Sequence, residues 1–241
     1  MKPDEQTILT ISDDHKLTIA IDGPAGASKS TIAARLARKL GYVNLESGAM
    51  YRALALKAIR NDVSFDDEAA LLALAQNSRI RLEPTREGNR VFLDGMVVSQ
   101  RIREQDVSSA ASRVSIHPAV REWMVERQRE LGAGGGVIME GRDIGTKVFP
   151  QAEVKIFLDA KPDVRQQRRI LETAEKGAKA EAERIAAELR ARDLRDRTRA
   201  ASPLVPAEDA VIIDSSHLSI DQVVHKVEEL VKEKLSNRVI E

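Results

Sequence analysis

Cysteine is absent from this 241-residue sequence, and its absence excludes several classes of protein. Without thiols, the chain forms no disulfide scaffold, binds no metal through thiolates and has no cysteine nucleophile. Aromatic residues make up only 3% of the sequence, and the four histidines, at positions 15, 117, 217 and 225, lie in no motif. A mechanism that depends on a histidine base is therefore not indicated.

An excess of charge of one sign is also missing, since 38 Lys and Arg residues balance 38 Asp and Glu residues. A protein that wraps nucleic acid needs a surplus of basic residues, so no nucleic-acid partner is expected. The longest apolar runs span only a few residues, whereas a membrane helix needs about 20. Residues 1–18 are polar and do not resemble a signal peptide. We expect a cytoplasmic protein with no membrane partner.

The apolar pattern that is present predicts an α/β fold. Residues 17–22 form a short β-prone run that ends at a Gly-Pro pair. Apolar residues then recur every four positions from Ile32 to Leu40, a helical stripe that Gly41 ends. A strand, a glycine-rich turn and a helix in this order open a βαβ unit, and short buried strands separated by helices predict a parallel sheet flanked by helices. Further strand candidates are residues 136–139, 154–158 and 210–213.

Residues 79–99 have a different pattern, in which apolar and polar residues alternate between two turn signals, Glu87-Gly88-Asn89 and Asp94-Gly95. This alternation predicts a small antiparallel β meander, which fits poorly inside a parallel-sheet core. We therefore expect an inserted lobe over residues 64–112. The core would comprise residues 17–63 and 113–241, preceded by a flexible extension over residues 1–16.

Two later helices are predicted from their apolar faces. Residues 118–131 place Val120, Trp123, Met124 and Leu131 on one side. The last helix opens with a capping box of Ser219 and Gln222. Its apolar stripe comprises Ile220, Val223, Val224, Val227, Leu230 and Val231.

The turn between the first strand and the first helix has the composition of a phosphate-binding loop. Backbone N–H groups can point inward at a phosphate only where small residues permit unusual backbone angles. The following helix adds the positive end of its dipole, Lys29 can reach the terminal phosphates, and Ser30 can supply a hydroxyl to phosphate-bound Mg²⁺. The predicted nucleotide-binding residues are Gly23, Pro24, Ala25, Gly26, Ala27, Ser28, Lys29, Ser30 and Thr31.

A phosphate loop alone does not distinguish a kinase, a GTPase, an ATPase motor or a sulfotransferase. No Asn-Lys-x-Asp occurs, so guanine recognition by a GTPase is unsupported. Two segments carry arginine at the carboxyl ends of strands, where open α/β sheets bind ligands. Residues 47–52 follow a second short strand, and residues 140–143 follow the strand candidate 136–139. Arg192, Arg195, Asp196 and Arg199 share one helical face.

Each of these arginines also has a simpler interpretation. Arg52 alone is compatible with a solvated helix residue, and Gly141-Arg142-Asp143 with a tight turn that holds a local ion pair. Their coincidence favours a functional interpretation, because phosphoryl transfer needs guanidinium groups where negative charge spreads over oxygens.

Taken together, these motifs resemble those of bacterial cytidylate (CMP) kinases, over nearly all of the chain after the first 16 residues. The resemblance implies a nucleoside-monophosphate-kinase fold with a helical lid over about residues 160–200. It implies transfer of phosphate from ATP, with Mg²⁺, to CMP or dCMP by a protein that we expect to be monomeric. The matching stretches are residues 19–31, 47–52, 91–95, 107–114, 141–150, 193–199 with 203–209, and 213–224.

The resemblance also assigns roles to individual residues. Ser47 and Arg52 would lie near the acceptor phosphate, with Arg142 and Arg199 as its ligands. Ser112, Arg121 and Asp143 would recognise cytosine, and Arg192 and Asp196 the ribose. Arg165, Arg168 and Arg169 fall where such kinases keep lid arginines. The catalytic residues would be Lys29, Arg142, Arg199 and Arg168.

Three positions depart from the family pattern. Ser28 replaces the usual glycine before the loop lysine, and Glu46 stands where aspartate is common. Glu140 replaces a shorter acid or a small residue before Gly-Arg-Asp. Two alternatives stay open at this point. One is a related kinase that acts on UMP or a small hydroxyl compound, and the other is a nucleotide-binding protein that Ser28 has made catalytically silent.

Overall fold

The computed structural model describes residues 16–85, 88–174 and 182–238, and for residues 172–174, 182, 237 and 238 the backbone only. The expectation for the N-terminal extension therefore lies outside the described residues, apart from Lys16. In chain order the elements are β1 (Thr18–Asp22), α1 (Lys29–Leu40), β2 (Val43–Glu46), α2 (Ser47–Arg60), α3 (Glu68–Gln76), β3 (Ile80–Thr85), β4 (Gly88–Leu93), β5 (Met96–Val97), α4 (Gln105–Val114), α5 (Pro118–Gly132), β6 (Val137–Gly141), β7 (Val154–Asp159), α6 (Pro162–Ala174), α7 (Ala182–Thr198), β8 (Val211–Asp214) and α8 (Ile220–Arg238).

The predicted parallel sheet is confirmed. Its five strands lie in the order β2-β6-β1-β7-β8, and all of their pairings are parallel. One face packs against α1 and α8, and the other contributes to a second apolar cluster with α2, α4 and α5. Because β1 lies in the middle, the carboxyl ends of β1, β2 and β6 meet at one edge of the sheet.

The small antiparallel meander is also confirmed, as a sheet in the order β3-β4-β5 in which Ile80 pairs with Leu93. Its buried Leu82, Val91 and Leu93 belong to the same apolar cluster as α2 and α4. The described residues of the meander therefore share their hydrophobic core with α2 and α4. The proposed boundary after residue 112 falls within α4, and the domain limits stay a prediction.

The structure confirms the predicted start of α8 but not every residue predicted on the buried face of α5. In α8, the Ser219 backbone N–H donates to Gln222 Oε1 at 2.8 Å and the Gln222 N–H donates to Ser219 Oγ at 3.2 Å, which confirms the capping box. In α5, the placement of Leu131 on the buried face is wrong, because this residue is 39% exposed. It lies in the last turn beside a side groove, whereas Gln128 is buried.

Within the described residues, no helix is both long enough and apolar enough to cross a membrane.

Candidate active site

The turn between β1 and α1 has the backbone of a phosphate loop. Gly23 and Gly26 have φ angles of 148° and 77°, in a region that side chains with a Cβ rarely adopt. A Cβ on Gly23 would lie 2.0 Å from the carbonyl oxygen of Leu158, so only glycine fits there. Ser28, at φ 64°, occupies the same left-handed region directly before α1.

Lys29 begins α1 and is buried in this loop. Its Nζ donates to the Pro24 carbonyl at 2.8 Å. Burial, reinforced by the nearby charge of Arg142, lowers the pKa of Lys29 to about 7. A bound polyphosphate would supply the negative charge that favours the protonated amine.

Ser30 and Glu140 face each other across the base of the cleft. Ser30 Oγ donates to Glu140 Oε1 at 2.9 Å, and Glu140 lies in β6, adjacent to β1 in the sheet. Mg²⁺ at phosphate-transfer sites is typically held by one or two protein oxygens together with substrate phosphates. Within the described residues no group of three or more acidic or histidine side chains forms a metal cage. The pair therefore fits a metal that arrives with phosphates.

Arg142 and Asp143 follow β6 and enter the cleft. Arg142 Nε donates to Asp196 Oδ2 at 2.9 Å, and Arg121 Nη2 donates to Asp143 Oδ2 at 2.5 Å. The Arg121–Asp143 pair is buried, and the Arg121 guanidinium lies 5.4 Å from the Tyr51 ring centre.

Asp196 of α7 is the shared partner of three arginines. Besides Arg142, its carboxylate lies 4.0 Å from Arg192 Nε and 3.6 Å from Arg199 Nη1. Burial alone would raise the pKa of Asp196, but the three guanidinium groups hold it below its usual value. The predicted arginine face of α7 thus packs against the cleft and α4 rather than facing solvent.

Ser47 and Arg52 lie at the carboxyl end of β2. Ser47 Oγ donates to the Glu140 carbonyl at 2.7 Å. Arg52 is paired with Glu46, and this pairing, reinforced by Arg103, keeps the pKa of the buried Glu46 carboxyl below its usual range despite the effect of burial.

These groups line one open cleft of about 970 Å³. Its lining contains ten Lys and Arg residues against six Asp and Glu residues, although the whole chain is neutral. Such a local excess of positive charge attracts phosphate-bearing ligands. The predicted site residues on this lining are Ala25, Gly26, Ser28, Lys29, Ser30, Thr31, Ser47, Arg52, Arg121, Arg142, Asp143, Arg192, Asp196 and Arg199.

Of the remaining predicted residues, Arg169 also lines the cleft and the others do not. Gly23, Pro24 and Ala27 shape the loop behind it. Ser112 is buried, and its hydroxyl accepts a hydrogen bond from Arg195 Nε at 3.0 Å. Arg168 is directed away, because its guanidinium donates to the hydroxyl and carbonyl of Ser215. Its catalytic role stays a prediction.

Several buried polar atoms around the cleft have no hydrogen-bond partner among the described residues. In folded proteins the great majority of such atoms are paired, so a concentration of exceptions indicates a site built for a polar ligand. Those on cleft-lining residues are Asn44 Oδ1, Tyr51 Oη, Arg52 Nε, Arg121 Nε, Arg192 Nε and Arg199 Nη2.

Sequence reasoning missed Arg103 and Asp22. Arg103 lies on a short 3₁₀ turn, Arg101–Arg103, and lines the cleft from the side of the meander. Asp22 is buried beside the phosphate loop. No motif in the sequence marks either residue. Arg103 belongs to a charged surface segment, and Asp22 is the last residue of a predicted strand.

The family model for cytidylate kinase matches residues 19–233. A cytidylate kinase from Enterococcus faecalis is 48% identical over 91% of this chain and 97% of its own length. One from Pelotomaculum thermopropionicum is 52% identical over 87% of this chain and 93% of its own length. One from Pasteurella multocida is 46% identical over 87% and 92%, respectively. With a family match over most of its length and relatives of this similarity, the chain belongs to the cytidylate kinase family.

Proposed function

We propose that this protein transfers the terminal phosphoryl group of ATP directly to the phosphate of CMP or dCMP, forming CDP or dCDP. The observation that carries the proposal is the single cleft that has a phosphate loop at one end and the buried Arg121–Asp143 pair at the other. A donor and an acceptor nucleotide can therefore meet between them, with Arg142 at the junction.

At the donor end, the backbone of residues 23–31 would surround the ATP phosphates. Lys29 would leave the Pro24 carbonyl and place its charge among the oxygens of the transferred group. Positioning and charge neutralisation supply most of the rate enhancement in phosphoryl transfer.

Mg²⁺ would be held by the Ser30 hydroxyl and the Glu140 carboxylate together with phosphate oxygens. When bound, the metal neutralises negative charge on the phosphates. Glu140 is longer than the shorter acid or small residue of the family pattern, and it reaches the loop through its hydrogen bond with Ser30.

At the acceptor end, Ser47, Arg52, Arg142 and Arg199 would bind the CMP phosphate. Arg192 and Asp196 would bind the ribose. The cytosine N4 amine is a hydrogen-bond donor and suits the carboxylate of Asp143, whose Oδ1 has no partner among the described residues, while Arg121 suits the ring acceptors. Ser112, which is buried behind the cleft lining, would support the recognition of cytosine.

The acceptor phosphate is already ionised near neutral pH, so no strong general base is needed. The three described histidines, at positions 117, 217 and 225, do not line the cleft. The helices α6 and α7 would close over the nucleotides and exclude water that hydrolyses ATP. Arg169 already lines the cleft, and Arg168 would reach it only after leaving Ser215.

The test is steady-state turnover of CMP, dCMP, UMP and AMP with MgATP, with Lys29→Ala as the inactivated variant. Loss of a charge aimed at the transition state costs about 10²–10³-fold in rate. Lys39→Ala is the matched control, because Lys39 lies on the same helix, outside the cleft, paired with Glu228. Equal turnover of UMP and CMP would contradict the proposed specificity, and nucleotide binding without turnover would indicate a silent protein.

A further inference from the structure

Asp22 lies behind the cleft lining, between the phosphate loop and the segment that carries Arg142 and Asp143. It ends β1 and directly precedes Gly23 of the phosphate loop, and its side chain is buried. It has no role in the mechanism proposed above.

Both carboxylate oxygens of Asp22 bind the backbone that follows Arg142 and Asp143. Oδ1 accepts the Ile144 N–H and Oδ2 accepts the Gly145 N–H, each at 2.8 Å. A Cβ on Gly145 would lie 3.5 Å from Asp22 Oδ2 and 3.3 Å from Lys155 Cδ, so this turn packs against the side chains of β1 and β7.

The backbone of Asp22 holds the other end of the same segment. In the β1–β6 pairing Asp22 is opposite Gly141, the residue before Arg142. Arg142 and Asp143 are therefore anchored on both sides to one residue, through strand pairing at Gly141 and through the side chain at Ile144 and Gly145.

An ionised carboxylate is well suited to this position, because it offers acceptors on both oxygens, whereas an asparagine of the same shape offers one. The carboxylate is held without a salt bridge among the described residues. Burial raises the pKa of Asp22 to about 6, and the two N–H groups oppose that shift.

We propose that Asp22 is a positioning residue that holds the Arg142–Asp143 segment at a set distance from the phosphate loop. It thereby aligns the acceptor nucleotide with the phosphoryl donor. This inference rests on the proposed function of the cleft, since it assigns Asp22 a part in that reaction.

The first test is Asp22→Asn, assayed well below its melting temperature. Its amide would face one of the two N–H groups and leave it unsatisfied, which corresponds to about a 10- to 100-fold loss in kcat/KM for CMP. The CMP-to-UMP ratio of kcat/KM should narrow as well, while the Kd for MgATP changes by no more than about threefold. A merely structural role would lower Tm and leave that ratio unchanged.

Two further variants keep the test decisive. Asp22→Glu keeps both carboxylate acceptors but lengthens the side chain by one carbon, so it should shift the segment and give the same selective loss on a smaller scale if Asp22→Asn does not fold. Asp67→Asn is the control, because Asp67 accepts the Ala70 N–H at 2.9 Å at the start of α3, outside the cleft.

Unchanged CMP kinetics in folded Asp22→Asn would overturn the inference, as would an equal loss of MgATP binding. If Asp22→Asn does not fold, unchanged CMP kinetics in Asp22→Glu would overturn it. Failure of the proposed function would appear differently, as a wild-type protein that does not phosphorylate CMP.

Discussion

Ser28 has a backbone conformation in which glycine is the usual residue. Its φ and ψ angles of 64° and 22° are left-handed, and its side chain makes no capping hydrogen bond to α1. For a residue with a Cβ this conformation costs roughly 1–2 kcal/mol. The departure noted in the sequence is therefore also a point of backbone strain in the loop.

We expect Ser28→Gly to retain or improve both stability and MgATP binding. The relief of strain is offset in part by the greater entropy of glycine in the unfolded chain, roughly 0.5–1 kcal/mol, so the net gain is about 1 kcal/mol or less. Thermal denaturation and an MgATP titration measure the two effects. Ser28→Ala keeps the Cβ and should match the wild type, whereas weaker ATP binding in Ser28→Gly would reveal a contact of the hydroxyl.

We expect Asp143→Asn to narrow the CMP-to-UMP ratio of kcat/KM, chiefly through loss of CMP turnover. An amide can turn to donate or to accept, so it discriminates less between an amine and a carbonyl than a carboxylate does. The effect should be on the order of 1–3 kcal/mol, measured with both substrates. In contrast, Arg142→Gln should lower turnover of both substrates. A wild-type ratio in Asp143→Asn would leave Asp143 only the task of holding Arg121.

The end of α5 packs tightly on the segment before β7, where Gly132 lies against the ring of Phe149. A Cβ on Gly132 would lie 2.3 Å from the Phe149 ring, although the backbone there is compatible with alanine. Phe149 is partly buried against the apolar cluster that contains α2 and α5. The contact is one that helix propensity alone would never reveal, because alanine is the better helix former.

Gly132→Ala should therefore destabilise the protein by about 1–3 kcal/mol through overpacking, despite the gain in helix propensity. Urea denaturation measures the change. Gly134→Ala is the matched control, since its Cβ would meet no atom within 4 Å, and it should be close to neutral. Equal stability of the two variants would mean that Phe149 moves aside at little cost.

Across the whole molecule, the pH dependence of stability should reflect the charge on Asp22. Its pKa of about 6 in the folded protein exceeds the ordinary value of 3.8, so the folded state binds this proton more tightly than the unfolded state. The contribution of Asp22 to stability therefore falls as pH rises from 4 to 6, by about 2 kcal/mol. Asp22→Asn lacks this titration.

The unfolding free energy of Asp22→Asn, relative to the wild type, should thus rise by about that amount between pH 4 and pH 6. Urea denaturation of both proteins across this range measures the difference. Asp67→Asn, altered at a carboxylate that is not buried, provides the reference. A difference that stays constant with pH would show that Asp22 titrates near its ordinary pKa.

Removal of residues 1–15 should leave both kcat/KM for CMP and Tm nearly unchanged. The segment is polar and its sequence has no apolar face that would pack against a core. Calorimetry and the coupled assay on the shortened chain check this expectation, and a clear drop in Tm would contradict it.

Local patterns in the sequence determined the parallel sheet, the phosphate loop, the meander and the cap of α8. Apolar periodicity and turn residues act over a few positions, so they can be recognised without knowledge of the partners. The same patterns placed Arg142 and Asp143 after a strand and Arg192, Asp196 and Arg199 on one face of a helix.

Only the tertiary structure decided which of these groups meet. Asp22 binds backbone 122 residues away, and Asp196 binds Arg142 from 54 residues away. Arg168 lies on the predicted lid yet binds Ser215, while Arg103 enters the cleft from a surface segment. The physical reason is that burial and charge pairing depend on segments brought together by the sheet order β2-β6-β1, which no local pattern specifies.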